Sequence, residues 1–211
     1  MAVQEHAPIK RMTLVDALQV LHAVRRDEVV ITTMGNAREW QKLGKHPLDF
    51  VFVPSSMGQA TSLGLGMALA QPDRKVVVCN GDGSMLMNLG SLVTISAQGP
   101  PNLMVIVFDN GVYEVTGAQP TAAAPTLRPN AAPVEFAALA RSSGFARVHS
   151  FDAVEPWRKA AEEIVRGPGP TFVHLRVEPM PDAGLPPVPG PAPDRARALQ
   201  TELTRGQPRR A

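Results

Sequence analysis

Short blocks of consecutive apolar residues alternate along this chain with segments whose apolar residues recur every three or four positions. The blocks are Val29–Thr33, Phe50–Val53, Val76–Val78, Leu103–Phe108, Phe145–Val148 and Thr171–Val177, short and rich in β-branched residues, which predicts strands. Between them, Leu14, Leu18, Leu21 and Val24 fall on one helical face behind a Thr13–Asp16 capping pair. A Gly-, Ala- and Ser-rich segment follows Gly58 and ends before Pro72; its small residues suit a helix lying close on a sheet. Pro133 to Arg141 predicts a helix stopped at Gly144, and Asp152 with Glu155 predicts a capping box for a helix ending near Gly167. Strand and helix in alternation predict a parallel sheet covered on both faces, a three-layer α/β/α fold.

The stretch from Asn80 to Thr121 organises the rest. Val76–Val78 runs into Gly81-Asp82-Gly83-Ser84, an apolar-periodic segment follows, and Leu103–Phe108 ends on Asp109-Asn110-Gly111. This reads as strand, glycine turn, helix, strand, polar turn. In a right-handed βαβ unit both strands finish at the same sheet edge, so the Asp82 and Asn110 turns meet there. Asp82 offers a carboxylate oxygen and Asn110 an uncharged amide oxygen, the hard ligands that Mg²⁺ takes alongside substrate phosphates. The glycines allow close backbone approach, and the amides at Ser84 open a helix that favours a phosphate. The pattern predicts a metal–diphosphate site.

Composition narrows the classes. The 211 residues suit one α/β domain, and 44% apolar with 19% charged residues fits a globular chain. Aromatics make up only 5%, which leaves few platforms for stacking bases. A single cysteine, Cys79, excludes an intrachain disulfide framework or a cysteine-cluster metal site. Five arginines against two acids after Pro193 contribute +3 of a net charge of +2, which leaves −1 for the rest of the chain, so no basic nucleic-acid-binding domain is expected. Residues 179–193 hold seven prolines in fifteen positions. The chain is therefore divided into a domain over 1–178 and a Pro-rich, Arg-containing tail over 179–211, expected to be extended or disordered. The N-terminus has no apolar core and no apolar run is of membrane-spanning length, which gives a cytoplasmic expectation and no membrane partner. No GxGxxG follows the first strand, against a nicotinamide-binding Rossmann domain.

TTMGNARE (32–39), SSMGQATSLGLGMALAQ (55–71), GDGSMLMNLGSL (81–92) and DNGVYEVTGAQPT (109–121) together resemble the thiamine diphosphate-dependent decarboxylase superfamily. The resemblance runs from about Val30 to Val177 and is strongest to the sulfopyruvate decarboxylase beta subunit and the corresponding half of phosphonopyruvate decarboxylase. It implies thiamine diphosphate and Mg²⁺ as cofactors. It places Asp82, Asn110 and Val112 on the metal, and Thr33, Ser55, Met57, Gly58, Gly81, Asp82, Gly83, Ser84, Asn110, Val112 and Tyr113 around the cofactor. Met57 would wedge beneath the two cofactor rings, and the Ser55 carbonyl would lie near the aminopyrimidine. Two departures stand out: Asp109-Asn110 replaces the frequent Asn-Asn, and Ala118 replaces a glycine of GGQPT.

Members of this superfamily activate the aminopyrimidine with a glutamate carried by another domain, for which 211 residues leave no room. The resemblance therefore implies no catalytic residue in this chain. It implies a pyrimidine-binding alpha subunit as partner in a hetero-oligomer, a small 2-oxoacid substrate and loss of CO₂. An acetolactate-synthase-like carboligase subunit and a non-catalytic binding module of the same fold are the alternatives. Glu39 and Glu114 are the acids close in sequence to the site edge; Glu39 is expected on a helix and Glu114 in a mobile loop. Arg38, Lys42, Lys45 and His46 are expected on a solvated face, and His149 and His174 as structural histidines.

Overall fold

The computed structural model describes residues 12–54, 57–127, 132, 134–180 and 184–205. The first half contains β1 (Met12–Thr13), α1 (Leu14–Val24), β2 (Val29–Thr32), α2 (Met34–Trp40), β3 (Asp49–Val51) and α3 (Ala60–Ala70). Then come β4 (Val76–Gly81), α4 (Asp82–Leu86), α5 (Gly90–Gln98) and β5 (Leu103–Asp109). A small hairpin, β6 (Val112–Tyr113) with β7 (Gln119–Pro120), leads to α6 (Phe136–Ser142) and β8 (Arg147–Phe151). The chain closes with α7 (Val154–Arg166), β9 (Thr171–Glu178) and α8 (Ala192–Thr204).

Among the described residues seven strands form one sheet in the order β1-β9-β5-β4-β2-β3, with β8 also on β9, and every pairing in it is parallel. Parallel strands buried on both faces read as unbroken apolar runs, which is why β4 and β5 show no polar alternation. Their side chains divide between two cores. Val77, Cys79, Met104 and Ile106 join Leu18, Leu21, Trp40 and Trp157 beneath α1, α2 and α7. Val76, Val78, Val105 and Val107 join Leu92, Ile95, Phe136 and Leu199 beneath the opposite layer. This is the three-layer α/β/α arrangement expected from the sequence. A Cβ at Gly64 would lie 2.2 Å from Val78 Cγ2, so α3 approaches β4 more closely than any side chain permits.

Local differences have identifiable causes. The segment after Ser84 is two helices, because the backbone turns at Met87–Leu89 before α5 begins. The Thr13 cap forms as expected, its Oγ1 accepting the Asp16 N–H at 3.0 Å. The Asp152–Glu155 capping box does not form: Ala153 is the N-cap residue without a side-chain bond, and Glu155 pairs with Arg158 instead. Within the stretch expected to be an extended tail, Ala192–Thr204 is helical, with Leu199 and Leu203 only 5% and 8% exposed. The prolines precede this helix, and Pro193 sits in its first turn, where no intrahelical N–H is needed. Arg195 fastens α8 to the β3 edge by donating to the carbonyls of Val51 and Val53.

Candidate functional site

Register places the site. Gly81 of β4 lies opposite Phe108 of β5, so the turns that follow both strands open at one sheet edge. Between these turns, the start of α2 and the β6 hairpin lies a cleft of about 560 Å³, counting space open to solvent. Met57, Gly81, Asp82, Gly83, Ser84, Asn110, Val112 and Tyr113, all foreseen from the sequence, line it.

Asp82 is 2% exposed at the base of the cleft. Burial first, and then the nearby charge of Asp109, push its carboxyl up to about 7, against the opposing pull of the Gly83 N–H and the Thr121 hydroxyl. Thr121 Oγ1 donates to Asp82 Oδ2 at 3.2 Å. A buried carboxylate whose charge is opposed by burial and by a second acid nearby is stabilised by a cation. The Asn110 side chain curls back so that its Oδ1 accepts the Val112 N–H at 2.9 Å, which fixes the amide at the cleft wall and leaves that oxygen a further lone pair. Asp109 points elsewhere: its Oδ2 lies 2.9 Å from the wholly buried His174 Nε2, whose Nδ1 lies 3.3 Å from Ser150 Oγ. Asn110 lines the cleft and Asp109 does not.

Packing explains the glycine turn. A Cβ on Gly83 would fall 2.3 Å from the Tyr113 ring, so only glycine lets the hairpin close over the start of α4. Ser84 Oγ accepts the Gly58 N–H at 2.9 Å, and Asn88 Nδ2 donates to the Gly58 carbonyl at 2.8 Å. These two bonds dock the Met57–Gly58 turn onto α4.

The remaining sequence candidates divide. Thr33 is buried with its hydroxyl donated to the Cys79 carbonyl at 3.3 Å, and Gly58 stands behind the cleft wall; neither lines it. Ser55 lies outside the described residues. Asn36 lines the cleft, as do Met34 and Gly35.

Glu114, expected near the site edge but in a mobile loop, has a fixed place in the cleft. It is held, not mobile: its carboxylate accepts the Met180 N–H at 2.8 Å, stands 3.9 Å from the Arg38 guanidinium and lines the cleft with a side chain 6% exposed. Arg38 is likewise drawn off the solvated face, bonded to Glu39 at 2.6 Å and to the Gly184 carbonyl at 2.9 Å. Both depend on the chain returning past α2 after β9, a long-range contact without a local signature.

The donor set suits Mg²⁺ with a diphosphate. Asp82 and Asn110 offer oxygens only, and among the described residues no three His, Cys, Asp or Glu side chains cluster into an all-protein metal cage. Magnesium held by one carboxylate, an amide oxygen and phosphate oxygens needs no such cage.

Comparisons with known proteins show the family. Residues 33–175 match the family described as thiamine pyrophosphate enzyme, C-terminal TPP binding domain. The sulfopyruvate decarboxylase subunit beta of Methanothermobacter thermautotrophicus is 39% identical over 166 residues, covering 78% of this chain and 82% of that protein. The phosphonopyruvate decarboxylase of Streptomyces viridochromogenes is 39% identical over 171 residues, but there the match spans 80% of this chain and 41% of the relative. The X-ray structure of a Mycobacterium smegmatis protein assigned as thiamin diphosphate-dependent superposes with a TM-score of 0.64 at 21% identity, over 85% of this chain and 35% of that one. That last likeness bears on the fold alone. The chain belongs to the thiamine pyrophosphate enzymes, as their C-terminal TPP-binding domain.

Proposed function

We propose that this chain is the diphosphate- and Mg²⁺-binding subunit of a two-chain thiamine diphosphate-dependent 2-oxoacid decarboxylase, with a substrate of the sulfopyruvate or phosphonopyruvate type. The observation that carries this reading is the convergence of buried Asp82 and the Asn110 turn on one cleft. Thiamine diphosphate, when bound, supplies the electron sink for the pair left behind as CO₂ departs. The Asp82 carboxylate, the Asn110 amide oxygen and Val112 would hold the metal, and Thr121 keeps the carboxylate aimed. Gly83 and Ser84 bring main-chain amides to the diphosphate end. Met57, which lines the cleft, would give the cofactor apolar support, and Tyr113 packs against Gly83 to close that side.

The chain offers no free activating carboxylate in the cleft among the described residues. Glu114 is committed to the Met180 N–H and the Arg38 guanidinium, and Glu39 to Arg38 and Lys42. A partner subunit is therefore expected to bring the activating glutamate and to exclude water from the cofactor. A surface that suits such a partner adjoins the site. Leu69, Met87 and Val93 are more than half exposed, and α3 and α5 carry no charged residue. Met87 also packs behind Gly58, 3.3 Å from where a Cβ would stand, which makes this face continuous with the cleft wall.

The test is turnover of sulfopyruvate, phosphonopyruvate and pyruvate by the chain with saturating cofactor and Mg²⁺, alone and mixed with a pyrimidine-domain subunit. No turnover alone and aldehyde production on mixing is the expected result. Turnover by the lone chain that Glu114→Gln or Glu39→Gln abolishes would overturn the two-chain reading. An acyloin product instead of an aldehyde would make it a carboligase.

A further inference from the structure

A second cavity, independent of the cleft, lies where the C-terminal end of α2, the turn before β3 and the docked α8 meet. It measures about 940 Å³, counting space open to solvent, and Gln41, Lys45, His46, Asp49, Pro189 and Arg195 are among its lining residues.

Its charges do not balance. Asp49 is the one acid in the lining, and its oxygens are used: Oδ1 accepts the Trp40 indole N–H at 3.0 Å and pairs with Arg25 at 2.7 Å, while Oδ2 accepts the His46 main-chain N–H at 3.1 Å. Arg25 thus neutralises Asp49. Arg195 donates to three main-chain carbonyls, those of Val51, Val53 and Gly190, and to no carboxylate among the described residues. Three bonds leave two of its five N–H groups unspent. Lys45 is exposed and makes no ion pair among the described residues. His46 Nδ1 accepts the Leu48 N–H at 3.1 Å, so the ring carries its proton on Nε2 as a further donor. Two cations without an ion pair among the described residues and a neutral donor therefore line a cavity that Pro47, Pro189 and Leu199 wall with apolar surface, while Glu202, the acid near His46 on α8, is paired with Arg205. Two cations in one lining suit a dianion, and a planar guanidinium fork that shares the lining with a lysine suits phosphate oxygens.

We propose that this cavity is a binding site for a small phosphate monoester, its dianion held by Lys45, Arg195 and His46 and its organic part against the proline–leucine wall. The site shares no lining residue with the catalytic cleft and stands whether or not the decarboxylase reading holds.

Calorimetry on the full chain at pH 7.5 tests it, with phenyl phosphate as the dianionic probe and benzenesulfonate as a monoanion of like shape. Saturable binding of phenyl phosphate is expected, with benzenesulfonate about tenfold weaker. Lys45→Glu, on an exposed turn, should weaken phenyl phosphate at least about tenfold, the loss of one charge-assisted bond. Lys159→Glu makes the same change in net charge on the distant, exposed part of α7 and should leave the affinity unaltered. Absence of saturable binding, equal affinity for the two probes, affinity indifferent to Lys45→Glu, or an equal loss in Lys159→Glu would each overturn the proposal.

Discussion

Replacing Asp82 with asparagine should stabilise the empty protein and remove its metal-dependent cofactor binding. The carboxyl moves from an ordinary value of 3.8 to about 7 on folding, chiefly because burial opposes its charge and Asp109 repels it. The folded state therefore binds more protons than the unfolded chain between roughly pH 4 and 7, and stability falls as pH rises through that window. Three units at 1.36 kcal/mol each set a ceiling of about 4 kcal/mol above pH 7; relaxation and water entry reduce it, and about 2 kcal/mol is a reasonable working figure. Asparagine keeps the shape and can still accept from the Thr121 hydroxyl and the Gly83 N–H, but carries no charge. For a chain of this size, 2 kcal/mol corresponds to a rise in Tm of about 4–8 °C. The assay is thermal unfolding of wild type and Asp82→Asn at pH 5 and pH 8, without and with Mg²⁺ and thiamine diphosphate. At pH 8 without ligands the variant should melt higher, and at pH 5 the gap should narrow. With ligands the order should reverse, because only wild type gains the binding free energy. A variant that melts no higher than wild type at pH 8, or that keeps wild-type cofactor affinity, would refute the reasoning.

Other expected outcomes follow from the same geometry. Asn110→Ala should weaken Mg²⁺-dependent cofactor binding by calorimetry more than Asp109→Ala does, since Asn110 lines the cleft whereas Asp109 is bonded to His174; the opposite order would exchange their roles. Gly83→Ala must displace the Tyr113 ring and should lower cofactor affinity, with an altered tyrosine absorption spectrum as the structural readout. Deleting residues 192–211 uncovers the β3 edge and the surface beneath Leu199 and Leu203; at roughly 1.5–3 kcal/mol for each buried leucine, Tm should fall clearly, and an unchanged Tm would mean α8 does not dock in solution.

The parts of this molecule that were legible in sequence are those that local chemistry decides. A strand buried on both faces has to be apolar throughout, so Val76–Val78 and Leu103–Phe108 announce a parallel sheet before any fold is known. Parallel strands joined by a right-handed crossover must end together, so Asp82 and Asn110 could be paired across 28 positions by topology alone. The role of Met57 was different: as a sequence feature it is an ordinary core methionine, and only the resemblance placed it at the cofactor.

The fixed position of Glu114 and the docking of α8 were hidden for a common reason. Glu114 sits in a polar, proline-bearing stretch whose composition reads as a loop, and nothing within it foretells that Met180, 66 positions later, donates its N–H to the carboxylate at 2.8 Å. The same returning segment brings Gly184 to Arg38 and Pro187 to Gln41, and then seats α8 on the β3 edge. Proline density correctly excludes helix and central strand from 184–191, but it does not imply disorder: an extended chain whose carbonyls accept from Arg38 and Gln41 is ordered by its partners and not by its own periodicity. The segment that composition would discard thus walls the second cavity through Pro189, and Met180 beside it anchors the carboxylate of the first.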